Sequence, residues 1–298
     1  MRTDIAFASD GVTLRGWLYR PDTTAARVPA IVMAHGFSAT KEMDLPNFAE
    51  RFCKAGFTVL LYDHRNLGSS DGEPRGEIDP WAQIRGYRDA ITYVQTLPGI
   101  DPARIGAWGS SYSGGHVIVV GAIDRRVKCV VAQVPLIDGY ANVQRQVRAD
   151  VIPLLQAQFD ADRAARFRGE PPAMIPVVAE KDGAPGFFQT DDCRKYFLSF
   201  GNRAPNWRNL VTLRTIEMAT EYNPGGYIAR ISPTPLLMAV GLGDTLAVAD
   251  IALDAYDRAR PPKRLVTLDC NHFDPYSGPL FEPNVTAQRD WFVEHLKP

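Results

Sequence analysis

The sequence predicts an α/β fold: a mostly parallel sheet flanked by helices, an N-terminal antiparallel hairpin, and a helical cap inserted before the last two strands. Three observations carry this. Apolar runs such as Val28-Pro29-Ala30-Ile31-Val32-Met33-Ala34 are hydrophobic on both faces, as strands covered by helices on both sides must be. Such runs alternate with helical patterns, which makes a parallel sheet with right-handed crossovers. Between about Gly139 and Ser232 the alternation stops and then resumes.

In chain order, Ile5 and Phe7 alternate before Asp10-Gly11, and Val12, Leu14 and Leu18 alternate after it, the signature of a hairpin. The run from Val28 to Ala34 is followed by a helix marked by Phe48, Phe52 and Ala55 and stopped at Gly56, then by the strand Phe57 to Tyr62. Trp81 to Leu97 reads as a helix closed by Pro98-Gly99, Arg104 to Trp108 as a third buried strand and Val127 to Val134 as a fourth. After the interruption come strands at Pro235 to Val240 and Arg264 to Leu268, a helix at Asp250 to Arg258 between them, and a closing helix at Thr286 to Leu296. The interruption reads as helices at Asn142 to Phe159, Thr190 to Phe200 and Arg208 to Thr220. The expected division is a core of residues 1–138 and 233–298 with a cap or lid of residues 139–232, since long insertions without strands are usually functional. Its aromatics (Phe159, Phe167, Phe187, Phe188, Tyr196, Phe197, Trp207) are expected to pack more than to bind. Its arginines (Arg145, Arg148, Arg163, Arg166, Arg168) are expected to form a solvated face.

Composition narrows the function. The 298 residues are 45% hydrophobic and 22% charged, which excludes a disordered or collagen-like chain. Lys and Arg number 33 against 34 Asp and Glu, for a net charge of -1. No basic surplus is available for phosphate backbones, so nucleic acid is not an expected partner. Met1-Arg2-Thr3-Asp4 runs straight into a strand pattern without the apolar core of a signal peptide. No run approaches the about 18 apolar residues of a membrane span. The four cysteines (Cys53, Cys129, Cys193, Cys270) form no CxxC pair, against a zinc site or a disulfide framework and in favour of a reducing, cytoplasmic setting. A homodimer stays open.

The chemistry centres on Arg104-Ile105-Gly106-Ala107-Trp108-Gly109-Ser110-Ser111-Tyr112-Ser113-Gly114-Gly115-His116. A buried strand runs through a small-residue turn into an apolar helix, the setting of a nucleophile elbow. The residues two before and two after the nucleophile must be small. Ser110 fails, because Trp108 and Tyr112 flank it at that spacing. Ser111, flanked by Gly109 and Ser113, is the favoured nucleophile, and Ser113, flanked by Ser111 and Gly115, is the alternative. A serine needs a base. Of His35, His64, His116, His272 and His295, the last is expected to be solvated at the tail of the closing helix, and His272 lies just past the last strand, where its loop emerges at the edge that carries the elbow. The acid is expected at a strand end between the two: Asp244, with Asp138 as runner-up. Asp63 reads as a structural knot. The oxyanion hole is assigned to the backbone N–H groups of Tyr112, next to the nucleophile, and Phe37, after His35-Gly36.

His35-Gly36-Phe37, Asp63-His64-Arg65 with Gly68-Ser69-Ser70, Gly109 to Gly115, Asp244 and His272 together resemble the α/β-hydrolase superfamily. Within it, the chain is similar to the dienelactone hydrolase-like branch that includes fungal polyketide transferases and thiohydrolases. The motif order matches from about residue 10 onward, and Tyr222-Asn223-Pro224 with Ile231-Ser232-Pro233-Thr234-Pro235 matches that branch too. Two features depart from it. Ser113 replaces the commoner elbow glycine, as in some peptidase-like relatives, and the nucleophile is Ser where dienelactone hydrolases proper carry Cys. The resemblance implies an α/β-hydrolase fold and hydrolysis or transfer of an acyl group from a small-molecule ester or thioester. It implies no metal or organic cofactor and no membrane partner. Aminopeptidase or amidase activity and a catalytically silent binding protein are the rival readings.

Overall fold

Successive side chains of a strand point to opposite faces, so a strand that is apolar throughout needs a core on each side. A computed structural model of the chain describes residues 1–181 and 184–297. The hairpin joins β1 (Arg2–Ser9) to β2 (Val12–Tyr19) in antiparallel register from Ser9 opposite Val12 to Arg2 opposite Tyr19. Its turn residues Asp10 and Gly11 both hold positive φ, 44° and 77°, which Asp-Gly tolerates. Then follow β3 (Val28–Ala34), α1 (Leu45–Lys54), β4 (Thr58–Tyr62), α2 (Pro80–Thr96), β5 (Ile100–Ser110), α3 (Tyr112–Ile123) and β6 (Val127–Gln133). The interruption holds α4 (Gly139–Gln146), α5 (Ile152–Phe167), β7 (Met174–Ile175), α6 (Asp191–Ser199), β8 (Val211–Thr212) and α7 (Leu213–Glu221). β9 (Leu236–Gly241), α8 (Ala249–Arg258), β10 (Lys263–Leu268) and α9 (Phe281–Leu296) complete the chain.

Several boundaries differ from the sequence reading. The single helix expected over Asn142 to Phe159 is two. The first is capped by Asp138, whose Oδ1 accepts from Ala141 N at 2.9 Å, and the second restarts with Pro153 in its first turn, where a missing N–H costs nothing. α7 starts at Leu213 rather than Arg208 because Thr212 caps it, accepting from Thr215 N at 3.2 Å. α9 begins at Phe281, earlier than expected, with Pro283 again in a first turn. The pairing of β7 with β8 had no readable periodicity, since two residues make no pattern.

The eight-stranded sheet has the order β1-β2-β4-β3-β5-β6-β9-β10. Only the β1–β2 and β2–β4 pairings are antiparallel. Alternate residues sort into two cores. Val32, Leu60, Ala107, Val130 and Met238 face α2, α3 and α8. Met33, Leu61, Trp108, Val131 and Leu237 face α1 and α9. Among the described residues the insert forms no separate core; Phe159, Val177, Phe197 and Ile216 join the first of these. From β3 the chain passes to β4 on one side, then crosses to β5 on the other. This reversal opens a crevice at the carboxyl ends of β3 and β5, where sheets of this kind bind ligands. Ala34 and Gly109, paired across those ends, place the Gly36 loop beside Ser111. Among the described residues, no helix is long and apolar enough to cross a membrane.

Candidate active site

β5 ends at Ser110 and α3 starts at Tyr112, leaving Ser111 at φ 57° and ψ −117°. L-residues seldom adopt that conformation, and it persists only where the surroundings enforce it. A serine at a helix N-cap normally bonds its hydroxyl to the first turn; this one makes no capping bond. A Cβ on Gly109 would lie 2.1 Å from Ser113 O, and one on Gly36 2.8 Å from Ser111 Cβ. The requirement for small neighbours is therefore set by contact. The three serines have three different surroundings. Ser110 Oγ is bonded to Tyr276 OH and accepts from Gln133 Nε2. Ser113 Oγ donates to His35 O at 2.5 Å and lies 2.9 Å from His64 Nε2. Only Ser111 lines the recess above the crevice.

His272, in the loop after β10, places Nε2 3.0 Å from Ser111 Oγ. Its Nδ1 lies 2.6 Å from Asp244 Oδ2, in the loop after β9. The other carboxylate oxygen, Oδ1, accepts from Leu246 N at 2.8 Å and Ala247 N at 2.9 Å. Both groups are buried. Asp138 is elsewhere, capping α4 and accepting from Asn223 Nδ2 at 2.6 Å. Asp63 is the expected knot: its carboxylate accepts from Lys41 N, Lys41 Nζ, Ser69 N and Ser69 Oγ. Missing from the sequence reading is the bracing of the acid loop by α4. Asn142 Nδ2 donates to Leu246 O at 2.8 Å, its Oδ1 accepts from Val248 N at 3.0 Å, and Gln146 Nε2 donates to Thr245 O and Leu246 O at 2.8 Å. About a hundred residues separate these partners, so no local pattern could reveal them.

The N–H of Tyr112 is one of the unpaired donors at the start of α3, and that of Phe37 lies in the loop after β3. Phe37 and Tyr112 pack ring on ring, edge to face at 5.6 Å. The recess has two apolar lobes that share Phe37, Ser111, Phe188 and Leu246. One, of about 510 Å³, is walled by Leu136, Val143, Phe187 and Ile216. The other, of about 390 Å³, is walled by Met43, Leu45, Tyr196, Phe197 and Phe273. The insert's aromatics thus divide. Phe187, Phe188, Tyr196 and Phe197 line the recess, Phe159 packs, and Phe167 is 93% exposed. Its arginines are ion-paired: Arg145 with Asp250, Arg148 with Asp150, Arg163 with Glu217, Arg166 with Asp162 and Arg168 with Glu170. Among the described residues, no group of three His, Cys, Asp or Glu is placed to hold a metal ion.

Beneath the elbow lie three fully buried histidines. His35 Nε2 accepts from His64 N at 3.1 Å, and His116 bridges Tyr222 OH (2.9 Å) and Gln83 Oε1 (2.8 Å). His295, expected to be solvated, is instead largely covered, with its ring against Trp291. Burial holds His64 well below the ordinary imidazole range and His116 down at about 3. A histidine depressed in the folded state contributes full stability above its unfolded pKa of about 6.5 and loses it as pH falls toward the folded value. Each should cost about 1.4 kcal/mol per pH unit below that point. The melting temperature should therefore hold steady from pH 8 to about 6.5 and fall steeply below it. His116→Gln, which can keep both hydrogen bonds, should have a shallower acid limb. Parallel limbs in wild type and variant would refute this account.

A model of the X-Pro dipeptidyl-peptidase (S15) family matches residues 10–274. The chain belongs to this family. The thiohydrolase aneE of Aspergillus aculeatus is 36% identical, covering 94% of this chain and 88% of its own length. The quorum-quenching protein AidA of Acinetobacter baumannii is 32% identical, over 99% and 95%. The polyketide transferase grgF of a Penicillium species is also 32% identical, over 99% and 97%. The crystal structure of the α/β hydrolase GrgF from Penicillium sp. superposes with a TM-score of 0.86 at 31% identity, covering 100% of both chains. The chain's relatives thus include proteins named for hydrolysis and for transfer, and the resemblance to fungal thiohydrolases and polyketide transferases is borne out.

Proposed function

We propose that this protein is a serine-dependent acyl hydrolase or acyltransferase that cleaves esters or thioesters through an acyl-enzyme on Ser111. The carrying observation is the unbroken line from Asp244 Oδ2 through His272 to Ser111 Oγ, with contacts of 2.6 and 3.0 Å, on a strained elbow that faces an apolar recess. In the proposed reaction, Ser111 Oγ attacks the acyl carbonyl while His272 Nε2 takes its proton. The N–H groups of Phe37 and Tyr112, backed by the positive end of α3, hold the oxyanion. His272 then protonates the leaving thiol or alcohol, and a water or acceptor hydroxyl, deprotonated by the same nitrogen, releases the acyl group. Asp244 sets the histidine tautomer and stabilises the imidazolium. Residues 139–232 act as the lid, and the four free cysteines support a cytoplasmic setting.

The two apolar lobes favour transfer as a second reading. One can hold the acyl chain while the other holds an organic leaving group or acceptor, and both keep water scarce. Dipeptide release is disfavoured. A peptide N-terminal ammonium needs a counter-charge when buried, and among the described residues neither lobe is lined by a carboxylate.

If the larger lobe takes the acyl chain, each added methylene should contribute about 0.8 kcal/mol. Then kcat/KM for p-nitrophenyl esters should rise about three- to fourfold per carbon until the lobe is full. Phe187→Ala should flatten that slope while barely changing acetate turnover. Equal kcat/KM for acetyl, butyryl and octanoyl esters would refute acyl selection by the lid.

A further inference from the structure

Residues of the loop after β3 face two ways. Gly36, Phe37 and Ala39 line the smaller lobe, whereas Ser38 and Thr40 line a separate recess of about 490 Å³. Trp207 forms part of the partition: its Nε1 donates to Ser38 O at 2.9 Å, and its ring stacks at 5.5 Å on Phe197 of the smaller lobe. This second recess also holds Arg75, Arg208 and Asn206.

Several of its polar groups have donors to spare. Ser38 and Thr40 are 2% and 1% exposed, and both hydroxyls are without a hydrogen bond. Arg75 commits two guanidinium N–H groups to Ser70 O and Gly68 O, which leaves three of its five donors. Arg208 makes no ion pair or hydrogen bond among the described residues. The nearby carboxylates are occupied. Asp63 is taken by Lys41 and Ser69, Asp71 by Arg15, and Glu73 accepts Arg75's own backbone N–H at 2.8 Å. Burial and the neighbouring Arg208 charge both hold Arg75 below the usual guanidinium range, a repulsion that a bound anion would relieve.

We propose that this recess is a second ligand site, distinct from the Ser111 recess, which takes a phosphate group between Arg75 and Arg208, with Ser38 and Thr40 as hydroxyl donors. Two guanidinium charges match a dianion. The donors also outnumber the roughly four lone-pair positions of a carboxylate and suit the three strong acceptor oxygens of a phosphate monoester. Because Ser38 adjoins Phe37, occupancy would bear on the loop that carries the proposed oxyanion donor.

Trp207 supplies a reporter that needs no turnover, so this site stands or falls apart from the chemistry at Ser111. Inorganic phosphate, titrated at constant ionic strength, should change tryptophan fluorescence saturably, and Trp207→Phe should abolish the signal. Arg208→Gln, at an exposed and unpaired position, should melt with the wild type but bind phosphate at least tenfold more weakly. A phosphate carried by a thiol ligand, tested as 4′-phosphopantetheine, would bind at least tenfold more tightly than inorganic phosphate; equal affinities would identify a site for the free anion. A response absent in phosphate, reproduced by chloride, or unchanged in Arg208→Gln would overturn the proposal.

Discussion

Ser111→Ala is expected to lower kcat by on the order of 10³ or more, with the fold intact. The loss is large because alanine has no atom that can form the acyl-enzyme, so only oxyanion stabilisation and binding remain. The fold should survive because Ser111 Oγ caps nothing; its contact is with His272 at the rim of the recess. The melting temperature should stay within a few degrees of wild type. Ser113→Ala should do the reverse. It strips a buried hydroxyl from His35 O and His64 Nε2, at a cost of about 1–3 kcal/mol in stability, and it leaves the nucleophile in place. Steady-state kinetics with a p-nitrophenyl ester, paired with thermal melts, separates the two. Activity retained in Ser111→Ala and abolished in Ser113→Ala would transfer the nucleophile to Ser113.

Asp244→Asn is expected to cost about 10⁴ in kcat with little change in stability, as the same replacement does in serine proteases. The local hydrogen bonds explain why the substitution is damaging and yet gentle on the fold. An asparagine keeps its carbonyl oxygen where Oδ1 accepts from Leu246 N and Ala247 N, so its NH₂ points at His272 Nδ1. That nitrogen must then accept, the proton moves to Nε2, and the imidazole presents a donor to Ser111 in place of the base. Asp138→Asn should cost less than tenfold, because asparagine is as good an N-cap as aspartate and that side chain holds only α4 and Asn223. A larger loss at Asp138 than at Asp244 would move the acid to the end of β6.

What could be read in the sequence follows from what local physics encodes. The apolar runs of β3, β4, β6 and β9 have no polar face, so they must be covered on both sides. Around Ser111 the demand for small residues is steric and short-range, and it marks the elbow within a few positions. Asp244 and His272 could be picked because strand ends in a parallel sheet emerge at one edge, so chain order alone brings their loops together. Helix ends were less legible. Whether residues 142–159 make one helix or two depends on the Asp138 cap and on Pro153, weak signals that a long apolar pattern overrides.

The sequence by itself therefore determined the layered α/β architecture, the frame of the elbow and the order of the candidate nucleophile, acid and base. Only the tertiary structure decided the rest. It split the insert's aromatics between packing and recess, tied Asn142 and Gln146 to the Asp244 loop, placed Ser113 on His64, and set Arg75 beside Arg208. The physical reason is range. Side-chain periodicity and backbone sterics act over a few residues and leave a pattern in the chain. Hydrogen bonds and charges between groups up to about a hundred residues or more apart depend on which surfaces the folded sheet and insert bring within a few ångströms.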